Sequence, residues 1–175
     1  MVVWAGAGCS GQQARSRDAD AARGHTIPSG VERDALITVD GARNIQRFQQ
    51  GGARYLTYSV SIEYPAQGAL DRIGAALRNH GWMPRQEDIL NPGRKLSLTS
   101  GWNYFVDGTK EPNVGIHSWN GQWEGADGRI VMYDLRYRRP PEGTARLNDL
   151  EITAIYMPKD VVMAAIEQSK QQRLR

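Results

Sequence analysis

The feature that most constrains this chain lies between Tyr55 and Tyr64. Leu56, Tyr58, Val60, Ile62 and Tyr64 alternate with Tyr55, Thr57, Ser59, Ser61 and Glu63. A period of two sends successive side chains to opposite faces of a strand, so one face meets a core and the other meets water. Pro65 stops the strand, because proline has no N–H to give to a ladder. Leu70, Ile73, Ala76 and Leu77 then recur at helical spacing, with Asp71, Arg72, Arg78 and Asn79 on the other side, and Gly81 closes the segment. A half-buried strand followed directly by an amphipathic helix over residues 67–79 calls for a sheet with a helix laid on its apolar face.

The remaining segments extend that sheet. Upstream, residues 44–49 alternate, and Gly51-Gly52 turns them into the strand at Tyr55. Residues 35–39 read as a further short strand, as do residues 101–106. Residues 116–124 place Trp119, Gly121 and Trp123 on one face, and residues 130–138 do the same with Val131, Tyr133, Leu135 and Tyr137. Gly125-Ala126-Asp127-Gly128 joins these two as a hairpin. Residues 150–156 are the last strand, Pro158 follows, and Asp160 caps a helix running to Ser169. The predicted class is α+β: an antiparallel sheet of about five to six strands, with a central helix and a C-terminal helix on one face. Residues 31–170 form the single domain. Residues 10–30 carry no apolar side chain larger than Ala before Ile27 and read as a disordered linker.

Charge narrows the partners. Lys and Arg number 22 against 19 Asp and Glu, for a net charge of +3, and the cations form no dense run. That balance argues against nucleic acid. No apolar stretch approaches the ~18 residues of a membrane span.

The one cysteine is Cys9, in Ala5-Gly6-Ala7-Gly8-Cys9-Ser10. Small residues leading into a lone cysteine resemble a bacterial lipoprotein processing site, which makes residues 1–9 the remnant of a signal region. Further along, Gly41-Ala42, Asn44-Ile45, Tyr58-Ser59-Val60, Tyr64-Pro65 and Gly81-Trp82 resemble a turn–strand–helix pattern of small bacterial envelope lipoproteins that have no named activity. The resemblance covers about a quarter of the chain, and its motifs are structural. It implies a lipid on Cys9 that tethers the protein to a membrane, a periplasmic location and, with Ser10 rather than Asp after the cysteine, anchoring at the outer membrane. It brings no catalytic residues with it.

The chemistry-bearing residues are few. His25, His80 and His117 have no partners at metal-ligand spacing, so neither a metal nor a cofactor is expected. No phosphate loop, dinucleotide fingerprint or nucleophile elbow occurs. Glu87, Asp88 and Asp107 flank Trp102. Two of them could serve as acid and base in glycoside cleavage, although such residues more often cap turns or sit in solvent. The principal ligand-binding candidates are Trp102, His117, Trp119 and Trp123, with Asp107 beside them. Trp119 and Trp123 flank Gly121 on one strand face and could clamp a sugar, a peptide or a partner side chain across the gap. The competing reading is a core, because tryptophan buries a large area and aromatic pairs stabilise sheets. Arg136, Arg138 and Arg139 read as edge protection.

The expected function is that of a lipid-tethered envelope protein acting as a non-enzymatic binding or accessory module for an envelope protein or glycan. Two alternatives stand beside it: an immunity protein that neutralises a secreted toxin, and a cell-wall or glycan hydrolase using Asp88 or Asp107.

Overall fold

The structure, a computed structural model, describes residues 30–61, 66–89, 94–96, 101–107, 115–139 and 149–173. Cys9, the linker, Ile62, Tyr64, Pro65 and the turn at residues 91–93 lie outside the described residues. The elements in chain order are α1 (Gly30–Ala35), β1 (Arg43–Gln50), β2 (Ala53–Val60), α2 (Ala66–Asn79), β3 (Met83–Pro84), β4 (Asn103–Asp107), β5 (Gly115–Glu124), β6 (Ile130–Arg139), β7 (Leu150–Met157) and α3 (Lys159–Arg173). The strands form one seven-stranded sheet in the order β1-β2-β7-β6-β5-β3, and β4 pairs beside β3 on β5. Every pairing is antiparallel. The α+β class, the antiparallel sheet, the central helix and the C-terminal helix are those expected from the sequence.

Local chemistry explains the first hairpin. Gly51 and Gly52 both have positive φ, 57° and 80°, so β1 and β2 join through a two-residue turn whose twist suits the strands. On β2 the predicted alternation holds as far as Val60. Leu56, Tyr58 and Val60 are buried on one face, in a cluster with Ile152 and Ala154 of β7, Val131, Tyr133 and Leu135 of β6, and Trp123 of β5. Leu70, Ile73 and Leu77 of α2 join the same cluster, which places α2 over this face.

The two long helices take opposite faces of the sheet, not the single face expected from the sequence. Val162 of α3 is buried with Ala53, Ile130 and Met157, and Tyr55, Met132 and Ile155 pack beside them. These positions alternate with the core-facing ones on β2, β6 and β7, so α3 covers one end of the other face. The link explains this: only Pro158 separates β7 from α3, and the Val162 N–H reaches back to the Pro158 carbonyl at 3.0 Å. The chain therefore turns onto the face that Met157 and Ile155 make apolar.

Residues 35–39 are not a strand. Ala35 ends α1, and the backbone after it is held by side chains instead of a ladder. Tyr133 Oη donates to the Ala35 carbonyl at 2.6 Å and accepts from the Ile37 N–H at 2.7 Å. Tyr58 Oη donates to the Ile37 carbonyl at 3.1 Å. Burial holds the Tyr133 phenol well above its ordinary pKa, with Tyr58 adding to the shift, so the hydroxyl stays a proton donor. Tyr133→Phe removes both bonds and should destabilise the fold by about 1–3 kcal/mol in urea unfolding. An unchanged midpoint would show that water satisfies the Ala35–Ile37 backbone instead.

Candidate functional site

The described tryptophans divide into a core set and an end set. Trp123 is fully buried, and Trp82 and Trp102 are nearly so. Trp102 meets Trp123 edge-on at 6.0 Å and Tyr133 at 6.2 Å, while Trp82 meets Tyr156 at 6.3 Å. Gly121 explains the packing. A Cβ there would stand 2.7 Å from the Gly101 carbonyl oxygen and 3.1 Å from the Trp102 ring. The space between Trp119 and Trp123, which the sequence suggested as a clamp, is therefore closed by Gly101 and Trp102 lying over the glycine. Trp102 and Trp123 belong to the core.

His117 and Trp119 lie at the other end of β5, in a stack of rings. His117 is buried, and its Nδ1 lies 2.7 Å from Tyr104 Oη. Its ring stacks on Tyr137 at 4.9 Å. Trp119, half-buried, packs between Tyr104 at 5.0 Å and Tyr137 at 5.9 Å. Tyr104 is the outermost member, 54% exposed. Asp107 pairs with Ile116 at the end of β4, exposed and away from Trp102. The five sequence candidates therefore do not converge on one site.

The register brings a different set together, on the face opposite the main core and beyond the reach of α3. Gln46 pairs with Thr57, Thr57 with Thr153, Thr153 with Asp134, Asp134 with Asn120, and Asn120 with Asn103. Direct cross-strand partners point to the same face. These residues form a polar ladder, one from each of six strands. Gln46 is exposed and the other five are half-buried. Strands lie about 4.8 Å apart, so five intervals span about 24 Å.

Two cavities lie along this ladder and share Thr153. One, of about 510 Å³, is lined by Asn103, Asn120, Asp134 and Thr153, with Phe105, Met132 and Ile155 as its apolar parts. The other, of about 550 Å³, carries on past Thr57 to Asn44 and Gln46. The wall of the first is an arm built from residues 85–89 and 94–96. The Arg85 N–H donates to the Gln122 carbonyl, and Asp88 and Leu96 pair with Arg94 and Gln86 across the arm. The Gln122 side chain locks it in place. Its amide donates to Asp88 Oδ1 at 3.1 Å, and its carbonyl accepts the Ile89 N–H at 2.9 Å.

Three carboxylates in this trough have partners. Asp134 lies 2.7 Å from Arg136, and Asp88 accepts from Gln122 with Arg94 at 3.9 Å. Asp149, in the second cavity, pairs with Arg43 at 2.9 Å. The lining suits recognition: apolar walls with a few placed amide, hydroxyl and carboxylate groups. Among the described residues, no group of three or more His, Cys, Asp or Glu side chains is placed to hold a metal ion.

Sequence reasoning missed the ladder. Alternation assigned Thr57 and Asp134 to the non-core face, but the strand order that lines them up with Thr153, Asn120 and Asn103 is a long-range property. No family model, curated protein or solved structure matches this chain.

Proposed function

We propose that this chain is a non-enzymatic binding module of the bacterial envelope, tethered through a lipid on Cys9, and that the ladder trough is its binding surface. The observation that supports the reading is the trough itself: two adjoining cavities on one sheet face, lined by amide and hydroxyl side chains, with Asp88, Asp134 and Asp149 each beside an arginine. The tether rests on Ala7-Gly8-Cys9 and on the resemblance to envelope lipoproteins. The tryptophan core argues against the clamp on β5, and a cell-wall or glycan hydrolase using Asp88 or Asp107 stands as the alternative from another class. An immunity protein remains a variant of the same reading, with a secreted toxin as the partner.

Two arms of one experiment test it, on the protein expressed with a complete export signal. Cys9→Ala should release it from the membrane fraction, and unchanged retention sinks the tether. Asn120→Ala should leave the fold intact and weaken capture of the native partner from solubilised envelope. Full capture by that variant sinks the trough.

A further inference from the structure

Resting on that reading of the trough, we infer that its ligand is a linear, uncharged oligosaccharide laid across the strands along the ladder. The first argument is chemical. Asn and Gln amides and Thr hydroxyls each both donate and accept, which is what a row of sugar hydroxyls requires. The Asn103 amide donates to the Asn120 carbonyl at 3.3 Å, which sets the two side chains side by side and leaves donor and acceptor capacity on the pair.

The second argument is shape. A ladder of six residues about 24 Å long presents repeated, similar groups to a repeated, similar ligand. Aromatic rings stand at both ends on the same face. Phe48 and Tyr55 stack at 4.7 Å with planes 3° apart, each two residues from a ladder position, and Phe105 sits two residues from Asn103. Phe48 is 44% exposed and Phe105 46%. The C–H face of a sugar ring is apolar and lies flat on such rings, while its hydroxyl rim meets the polar row.

Other ligands fit less well. An extended peptide binds a sheet by adding a strand at its edge through main-chain bonds, whereas the ladder runs across strands and offers side chains only. A phosphate polymer needs an excess of cations. Here Asp88 and Asp134 balance Arg94 and Lys95 in one cavity, and Asp149 and Glu151 line the other. A second copy of this chain would need an apolar centre to its interface, and the ladder is polar.

The test is calorimetric titration of the intact protein with chito- and cello-oligosaccharides of two to six sugars. Affinity should rise with length. Asn120→Ala, and separately Thr57→Ala at the far end, should each weaken the hexasaccharide by roughly threefold to tenfold, the loss of one hydrogen bond. Binding unaffected by both substitutions, or independent of length, overturns the ladder as the site. No binding of either series at millimolar concentration overturns the ligand class, and partner capture then separates the two readings. If Asn120→Ala still weakens capture from the envelope, only the saccharide assignment fails. If it does not, the trough fails as well.

Discussion

Trp123→Ala should lower the free energy of unfolding by about 3–5 kcal/mol and leave oligosaccharide or partner binding by the remaining folded protein unchanged. Trp123 is fully buried, with Trp102 edge-on to its ring and the Arg78 guanidinium 5.9 Å from its ring centre. Removing it opens a cavity beneath α2, and Gly121 and Gly101 cannot fill it. The indole N–H is buried and has no hydrogen-bond partner among the described residues. Trp123→Phe therefore removes an unsatisfied donor along with some volume, and its loss should be clearly smaller than that of the Ala variant. Urea unfolding of both variants, read beside binding, decides the point. A Trp123→Ala protein of native stability that has lost its ligand would return this indole to the surface and overturn the core assignment.

The contrast between the two ends of β5 shows what a sequence can and cannot say. Trp119 and Trp123 share a face by period alone, and nothing local distinguishes them. The distinction comes from Trp102, which lies 21 residues before Trp123 in the chain and crosses over Gly121 because glycine leaves room there. The same limit explains residues 35–39. Their apolar run matches a strand, but Tyr133, 96 residues beyond Ile37, takes the hydrogen bonds a ladder would need. Strand faces, the hairpin glycines and both long helices were legible because each is set by neighbours within a few residues. The helix faces were only partly so. The short link at Pro158 and the apolar Tyr55, Met132 and Ile155 determine the side α3 takes, and that becomes visible only once β2, β6 and β7 are known to be adjacent. The polar ladder is the extreme case, since each member is an ordinary solvent-side residue of its own strand.

Two neighbouring residues on β2 turn this division of the sheet into a measurement. Leu56 is fully buried against the α2 side, between Arg47 of β1 and Ala154 of β7. Thr57, one residue on, faces the trough and is only half-buried. Leu56→Ala should destabilise by about 2–5 kcal/mol, the transfer of the lost methyl groups plus the cavity left behind. Thr57→Ala should cost less than about 1 kcal/mol, because the hydroxyl and methyl it removes border an open trough and leave no closed cavity. Binding should split the other way: the Leu56 variant, where folded, keeps its ligand affinity, and the Thr57 variant keeps its stability and loses affinity. Chemical denaturation and titration on the same two proteins give four numbers, and the crossed pattern is the expected one. Similar stability losses at both positions would mean that the two faces of β2 are not divided as described. A stable Thr57 variant with undiminished affinity would mean that the face is divided correctly but that its ladder holds no ligand at that strand.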